Sequence, residues 1–355
     1  MNTNRRVLVD LEALKANFEF LKELAAPADC GAVVKANAYG LGAIPATRAL
    51  SDAGCRKFFV ATLGEALELR TNFDDIELYT LEGPDVERLD EHVAARAWPA
   101  INDLKQARAW SETGQGARCL LQIDSGMNRL GLGRGDVETL VADDYLLQKL
   151  RMDFVITHLG CSDEPDHPQN LRQLERFDDI RTLLPEHKTS IASSPGMFLS
   201  SEYHGDLARP GVCLYGARPE LGRDNPMQEV ARIQGRIVQI REIETDDFVG
   251  YGATEAVPGG TRLATIAYGY ADGYPRSLSS TGSVKIGDFV AKVTGRVSMD
   301  VTVVDITAAP PDSINVGDWA TLVGDGLELD DVAKAADTIS YEILTRIGPR
   351  VARAY

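Results

Sequence analysis

Eight short apolar runs, each followed by a longer polar or amphipathic stretch, fill the chain from about residue 10 to residue 225. They are Cys30–Val34, Phe58–Ala61, Ile76–Thr80, Ala97–Ile101, Cys119–Ile123, Phe154–Thr157, Ser190–Ala192 and, more faintly, the stretch around Leu207. Most are apolar at successive positions, the pattern of strands buried on both faces. Between them, Ala46–Ala53, Asp103–Ser111 and Asn170–Leu184 carry helical periodicity. Eight strand–helix units within about 200 residues predict an α/β fold, a (β/α)8 TIM-type barrel.

Beyond Met227 the texture changes. Val230–Ile243, Leu263–Tyr268, Val284–Ile286, Val290–Val293, Val297–Val304 and Trp319–Val323 are β-rich and punctuated by glycine, and one helical pattern follows at Leu329–Ala336. This predicts a barrel over residues 9–228 and a C-terminal β-rich domain over 229–355. Residues 1–8 are expected to pair with the second domain, with Arg5–Val9 as the strand.

Charge narrows the partners. The chain carries 37 Lys and Arg against 53 Asp and Glu, a formal charge of −16. Such a surface disfavours nucleic acid and anionic membranes as partners. An anionic ligand must therefore be held by a few local cations and backbone N–H groups. The five cysteines are scattered with no C-x-x-C pair, which fits a reducing compartment and not a disulfide framework. No apolar run reaches the ~18 residues of a membrane span. The segment from Met1 to Arg6 leads into an amphipathic stretch and not into an apolar signal core. The expected location is cytoplasmic.

Barrels of this kind gather their chemistry at the C-terminal ends of the strands. Lys35 ends the first run, Asp124 to Arg129 follow the fifth, and His158 follows the sixth. Ser193 and Ser194 follow the seventh, and Arg209-Pro210-Gly211 the eighth. A lysine after two valines either snorkels to water or, if buried, loses basicity and supplies the neutral amine that Schiff-base chemistry needs. Phosphate sites in such barrels lie after strands seven and eight. Ser194 and the Gly211-Val212 backbone stand there with hydroxyl and N–H donors. His158, Cys161, Asp163 and His167 share one loop but lack zinc-type spacing, so no metal site is expected.

Several segments, in order, resemble one family over nearly the whole length. They are Val33–Gly42 (VVKANAYGLG), Asp124–Gly131 (DSGMNRLG), His158, Arg209–Gly216 (RPGVCLYG), Tyr251–Thr254 (YGAT), Gly269–Gly273 (GYADG), Gly295–Asp300 (GRVSMD) and Tyr341-Glu342. The chain is similar to the alanine racemases. The resemblance implies pyridoxal 5'-phosphate (PLP) carried on Lys35, with Tyr39, Ser194, Gly211, Val212 and Tyr341 around its phosphate. It implies Arg209 at the pyridine nitrogen, with His158 supporting Arg209. Arg129 and the Met299 backbone would meet the carboxylate of a small amino-acid substrate. Lys35 and Tyr251 would be bases on opposite faces, and each site would be shared within a head-to-tail homodimer. The implied role is D-alanine supply for peptidoglycan. Tyr270, Arg296, Asp300 and Tyr341 resemble a narrow entrance, which favours alanine over the serine or basic amino acids of broader racemases. A decarboxylase or a non-catalytic PLP-binding protein would not need Tyr251. Two departures stand out. Gln122 occupies a position where many relatives carry a carbamylated lysine, and its amide oxygen is expected to accept from Arg129. Ser193 replaces a frequent asparagine, with Pro195 behind it.

Overall fold

Seven parallel strands lie side by side in chain order: Ala32–Val33, Lys57–Val60, Glu77–Thr80, Ala97–Ile101, Arg118–Gln122, Arg151–Ile156 and Thr189–Ser190. The structure, a computed structural model, describes residues 4–113 and 116–355. The eighth strand, Leu207–Ala208, pairs in parallel with Asp29–Cys30, which leads into the first. Gly31 and Val33 donate to the carbonyls of Ala208 and Pro210, both at 2.9 Å. On the other side a parallel bridge joins Ser193 to Arg209, and Arg209 N–H donates to Ala192 O at 2.9 Å. The circle closes, as eight strand units predict.

The outer layer departs from the regular pattern. Between the seventh and eighth strands lie only the 3-10 turns Pro195–Phe198 and Ser201–Tyr203, and after the eighth comes Val212–Tyr215. Helix Leu11–Ala25, which precedes the first strand, packs beside that last turn. Its Asn17 side chain donates to Leu214 O at 3.2 Å and accepts from Gln228 N–H at 2.8 Å. The helix starts where Asp10 accepts from the N–H groups of Glu12 and Ala13, and its face of Leu14, Phe18, Leu21 and Ala25 is buried.

The second sheet runs in the order Arg262–Ile266, Thr302–Asp305, Phe289–Val293, Ser283–Ile286, Trp319–Val323, Ala231–Glu242, Arg5–Val9 and Ala352–Ala354. Ala231–Glu242 also pairs back to Arg262–Ile266, so this sheet curls on itself. Arg5–Val9 lies antiparallel to residues 231–235. Met1 to Thr3, part of the same expected pairing segment, lie outside the described residues.

Three local features differ from the sequence reading. The expected strand Val297–Val304 begins only at Thr302, because the carbonyls of Ser298 and Met299 accept from Tyr270 and Ala271 N–H at 3.1 and 3.0 Å. A hairpin, Asp247–Val249 with Glu255–Val257, carries Tyr251 at its tip. Helix Ser340–Thr345 carries Tyr341. The Met299 loop is further tied to both chain ends. Buried Asp272 accepts from Arg5 at 2.8 Å and Arg350 at 3.0 Å, and Arg350 also reaches the Asp300 carboxylate at 2.8 Å.

Candidate active site

Immediately after the first barrel strand the backbone turns left-handed. Ala36, Asn37, Ala38 and Tyr39 have φ of 52°, 56°, 51° and 54°. Each non-glycine residue so placed costs roughly 1–2 kcal/mol, so the turn persists only because its surroundings hold it. Ala36 N–H donates to Glu65 Oε1 at 2.7 Å, and Asn37 Oδ1 accepts from Ala43 N–H at 2.7 Å. Arg353 donates to Gly40 O at 3.1 and 2.9 Å, and Tyr355 Oη donates to Leu41 O at 3.1 Å. The turn leaves Lys35 and Tyr39 on the wall of one cavity of about 1220 Å³ at the strands' C-terminal ends.

The same cavity is lined by Arg129, His158, Ser194, Arg209, Gly211, Val212 and Tyr341. Ser194 Oγ accepts from the N–H groups of Gly211 at 2.7 Å and Cys213 at 3.2 Å. The Gly211 N–H is therefore spent on Ser194, leaving the serine hydroxyl proton as the donor to a ligand. Val212 opens a 3-10 turn, so its N–H has no partner within that turn. Burial raises the phenol pKa values of Tyr39 and Tyr341, keeping both as protonated donors. A Cβ on Gly211 would run into the Tyr39 hydroxyl and lie 3.2 Å from ring carbon Cζ. Only glycine allows that approach.

The electrostatics of the two barrel ends contrast. At the N-terminal ends the cations are paired: Arg118 with Asp153 at 2.7 Å, Lys57 with Asp29 at 2.7 Å and with Glu77 at 3.5 Å. Around the cavity, among the described residues, no carboxylate lies within ion-pair distance of Lys35, Arg129 or Arg209. Arg209 is 5 % exposed and donates only to neutral acceptors: the Ser190 hydroxyl, Thr157 O at 2.6 Å and Ile191 O at 3.5 Å. Burial lowers its pKa to about 10, which leaves it charged at neutral pH. Burial, then the Arg129 cation, lowers the pKa of Lys35, with Glu65 and Glu82 acting the other way. Lys35, Arg129 and Arg209 thus stand without ion-pair partners in a cavity that Glu82, Asp163, Asp330, Asp331 and Asp337 also line.

His158 feels the same field. Burial, then Arg209, Arg129 and Lys35, push its pKa from 6.5 down to about 3. No hydrogen bond joins its ring to Arg209, so it lies beside the arginine without bonding to it. Between these two values the unfolded chain binds the extra proton. The stability contributed by neutral His158 is whole above about pH 6.5 and is lost as pH falls towards about 3. In cofactor-free protein, His158→Asn should reduce the stability lost between pH 7 and pH 5 by about 1–2 kcal/mol, read from urea unfolding. An equal loss in both proteins would contradict the assignment.

Two expected site residues are not in the cavity. Tyr251 is 70 % exposed and Met299 is 52 % exposed, and neither lines it. Gln122 lines it but does not hold Arg129. Its Nε2 donates to Leu130 O at 3.2 Å, so it fixes the backbone beside Arg129, whose guanidinium makes no hydrogen bond among the described residues. Ser193 serves through its backbone, in the bridge to Arg209, and Pro195 opens a 3-10 turn. Among the described residues, no group of three or more His, Cys, Asp or Glu is placed to hold a metal ion. Sequence reasoning missed Glu65, Arg353 and Tyr355. The T-x-x-E signature of Thr62 and Glu65, straight after a strand, was the available signal.

Residues 9–219 match the alanine racemase N-terminal domain family, and residues 230–355 match the alanine racemase C-terminal domain family. The chain belongs to the alanine racemase family. That makes it an enzyme, a racemase within the isomerases, from a PLP-dependent family. An alanine racemase of Rhodospirillum rubrum is 42 % identical over 98 % of this chain and 94 % of its own length. A catabolic alanine racemase of Agrobacterium fabrum is 41 % identical, covering 98 % and 91 %. A crystal structure of alanine racemase from Bartonella henselae with covalently bound pyridoxal phosphate superposes with a TM-score of 0.95 at 34 % identity, over 99 % of each chain. The residues here fit such a cofactor. The alanine racemase cavity combines an amine of lowered basicity, three phenol or serine hydroxyls and a glycine cradle that a Cβ would fill.

Proposed function

We propose that this enzyme interconverts L- and D-alanine with PLP held on Lys35, and that a second copy of the chain completes each site with Tyr251 and the Met299 backbone. The observation that carries the reading is the cluster of Lys35, Arg129 and Arg209 without ion-pair partners in one cavity. Its charge suits a phosphate and a substrate carboxylate. Ser194, Tyr39 and Tyr341, which line the cavity with Gly211 and Val212, would supply hydroxyl donors to the phosphate. Arg209, charged and backed by neutral acceptors, would donate to the ring nitrogen of PLP, which would then accept and not carry a proton. Bound PLP supplies the electron sink that makes an α-proton removable.

Racemisation then needs a proton acceptor and donor on each face of the α-carbon. The Lys35 amine, eased towards neutrality by burial, moves the proton on one face. The Tyr251 phenol moves it on the other, and each direction starts from a different residue. Arg129 and the Met299 backbone hold the substrate carboxylate between them. Because Tyr251 and Met299 sit exposed outside their own chain's cavity, a head-to-tail homodimer brings them to the partner's. The domain boundary belongs between residues 228 and 229, and the enzyme works in the cytoplasm on free amino acid. Among the described residues no helix is long and apolar enough to cross a membrane.

Incubation with L-alanine in D2O tests the activity: α-deuterium uptake should accompany loss of chirality. Exchange with full retention of configuration would sink the two-face reading, and faster turnover of serine or lysine would move the specificity to a broader racemase. The product is assigned to peptidoglycan supply, for which loss of the gene should create a D-alanine requirement. Relatives named catabolic make the opposite outcome, growth impaired only on alanine as nutrient, a defined alternative. Because Gln122 has no amine to carbamylate, activity should be indifferent to removal of dissolved CO2. Gln122→Ala should lower activity modestly by releasing Leu130 O, an effect of about 1 kcal/mol. Reversible loss on bicarbonate depletion would overturn this reading of Gln122.

A further inference from the structure

Glu65 is the third residue of helix Leu63–Arg70 and closes the Thr62-to-Glu65 capping sequence, just after the second barrel strand. A capping box asks only that its carboxylate reach back to the N-cap backbone. Here Oε2 accepts from Thr62 N–H at 3.3 Å and from Ala61 N–H at 2.7 Å. The other oxygen leaves the helix altogether. Oε1 accepts at 2.7 Å from Ala36 N–H, 29 residues earlier and next to Lys35. Ala36 is the first residue of the left-handed turn, with φ 52°, and so the point at which the strained backbone departs from the strand.

We propose that Glu65 is a positioning residue for Lys35, anchoring the left-handed turn from the neighbouring barrel unit and stationing a negative charge beside the amine. This rests on Lys35 being the cofactor-bearing residue. The charged and titratable groups facing Lys35 are Glu65, Glu82 from the segment after the third strand, Arg129 from that after the fifth and His158 from that after the sixth. Removing the Glu65 charge leaves Arg129 opposed by Glu82 alone, so the amine is neutral over a wider pH range.

The test uses cofactor-free protein and needs no turnover. Trace acetylation of Lys35 with acetic anhydride is followed against pH by peptide mass spectrometry. Glu65→Gln should move the labelling midpoint to lower pH and speed labelling roughly threefold to tenfold at a fixed pH below it. Thr62→Ala removes the helix cap (Thr62 Oγ1 to Glu65 N–H, 3.3 Å) but leaves Ala36 untouched, so its midpoint should stay at the wild-type value even where its melting temperature falls as far. A Glu65→Gln midpoint that matches Thr62→Ala overturns the proposal and leaves Glu65 a helix cap. If Glu65→Gln does not fold, Glu65→Asp carries the test. It keeps the charge and shortens the reach, so the midpoint should hold while amide exchange at Ala36 speeds up. Unchanged exchange at Ala36 overturns the proposal. Borohydride reduction of the wild-type holoenzyme separately locates the PLP. Label found away from Lys35 would sink the underlying reading and not this one alone.

Discussion

Mixing Lys35→Ala protein with Tyr251→Ala protein, under conditions that exchange subunits, should restore about a quarter of wild-type sites. Each variant alone should be nearly inactive, since under the proposed two-base mechanism each removes the proton-transfer group on one face of the α-carbon. In a mixed dimer with shared sites, one site inherits both defects and the other neither. Random re-association makes about half the dimers mixed, and half of their sites are intact. The expectation follows from position: Lys35 lines the cavity, whereas Tyr251 projects from a hairpin tip at 70 % exposure. If mixing restores nothing although exchange is demonstrated by mass, both residues act within one chain and the shared site is wrong.

Gly211→Ala should weaken PLP retention by roughly tenfold to a hundredfold, in line with about 1–3 kcal/mol for forcing a methyl group into packed space. The new methyl would meet the Tyr39 hydroxyl and also lie 3.4 Å from Val33 Cβ. Tyr39 has little room to yield, being buried with its ring 4.9 Å from that of Tyr215 and 6.0 Å from that of Tyr341. Titration of PLP into the cofactor-free variant, read by the visible band, measures the loss. Gly135→Ala is the control, because a methyl there meets nothing within 4 Å. Equal PLP affinity in the two variants would remove Gly211 from the phosphate cradle.

The barrel was legible because its strands are enclosed on both sides, so residues such as Phe58 and Phe59 are both fully buried and leave an unbroken apolar run. The eighth strand, only Leu207–Ala208, leaves almost no run and read faintly for that reason. That helix Leu11–Ala25 would pack beside the turn after the eighth strand was not legible, because it depends on contacts such as Asn17 to Leu214, 197 residues apart. Val297–Val304 was overread because valine favours strands on any exposed or buried face, while the Tyr270 and Ala271 N–H groups claim that backbone. In the site, strand ends singled out Lys35, Ser194 and Arg209 as positions, their roles came from the family resemblance, and all three line the cavity. The bonding of Gln122 was not legible: its amide had an expected partner in Arg129 and bonds instead to the adjacent backbone at Leu130. The Thr62–Glu65 box is visible in sequence, yet nothing local shows that its free oxygen crosses to Ala36.

Gly40 and Leu41, close behind Lys35, are gripped by Arg353 and Tyr355, 313 and 314 residues further along. A ribosome therefore releases the lysine loop long before it makes the side chains that clasp it. At the usual pace of translation, about 5–20 residues per second, the delay is roughly 15 to 60 seconds. Through that interval the strained turn lacks its clasp, while later cavity-lining residues such as His158 and Arg209 are still being added. A chain broken off shortly before Arg353 would keep Lys35 while losing the Arg353 hold on the Gly40 carbonyl behind it.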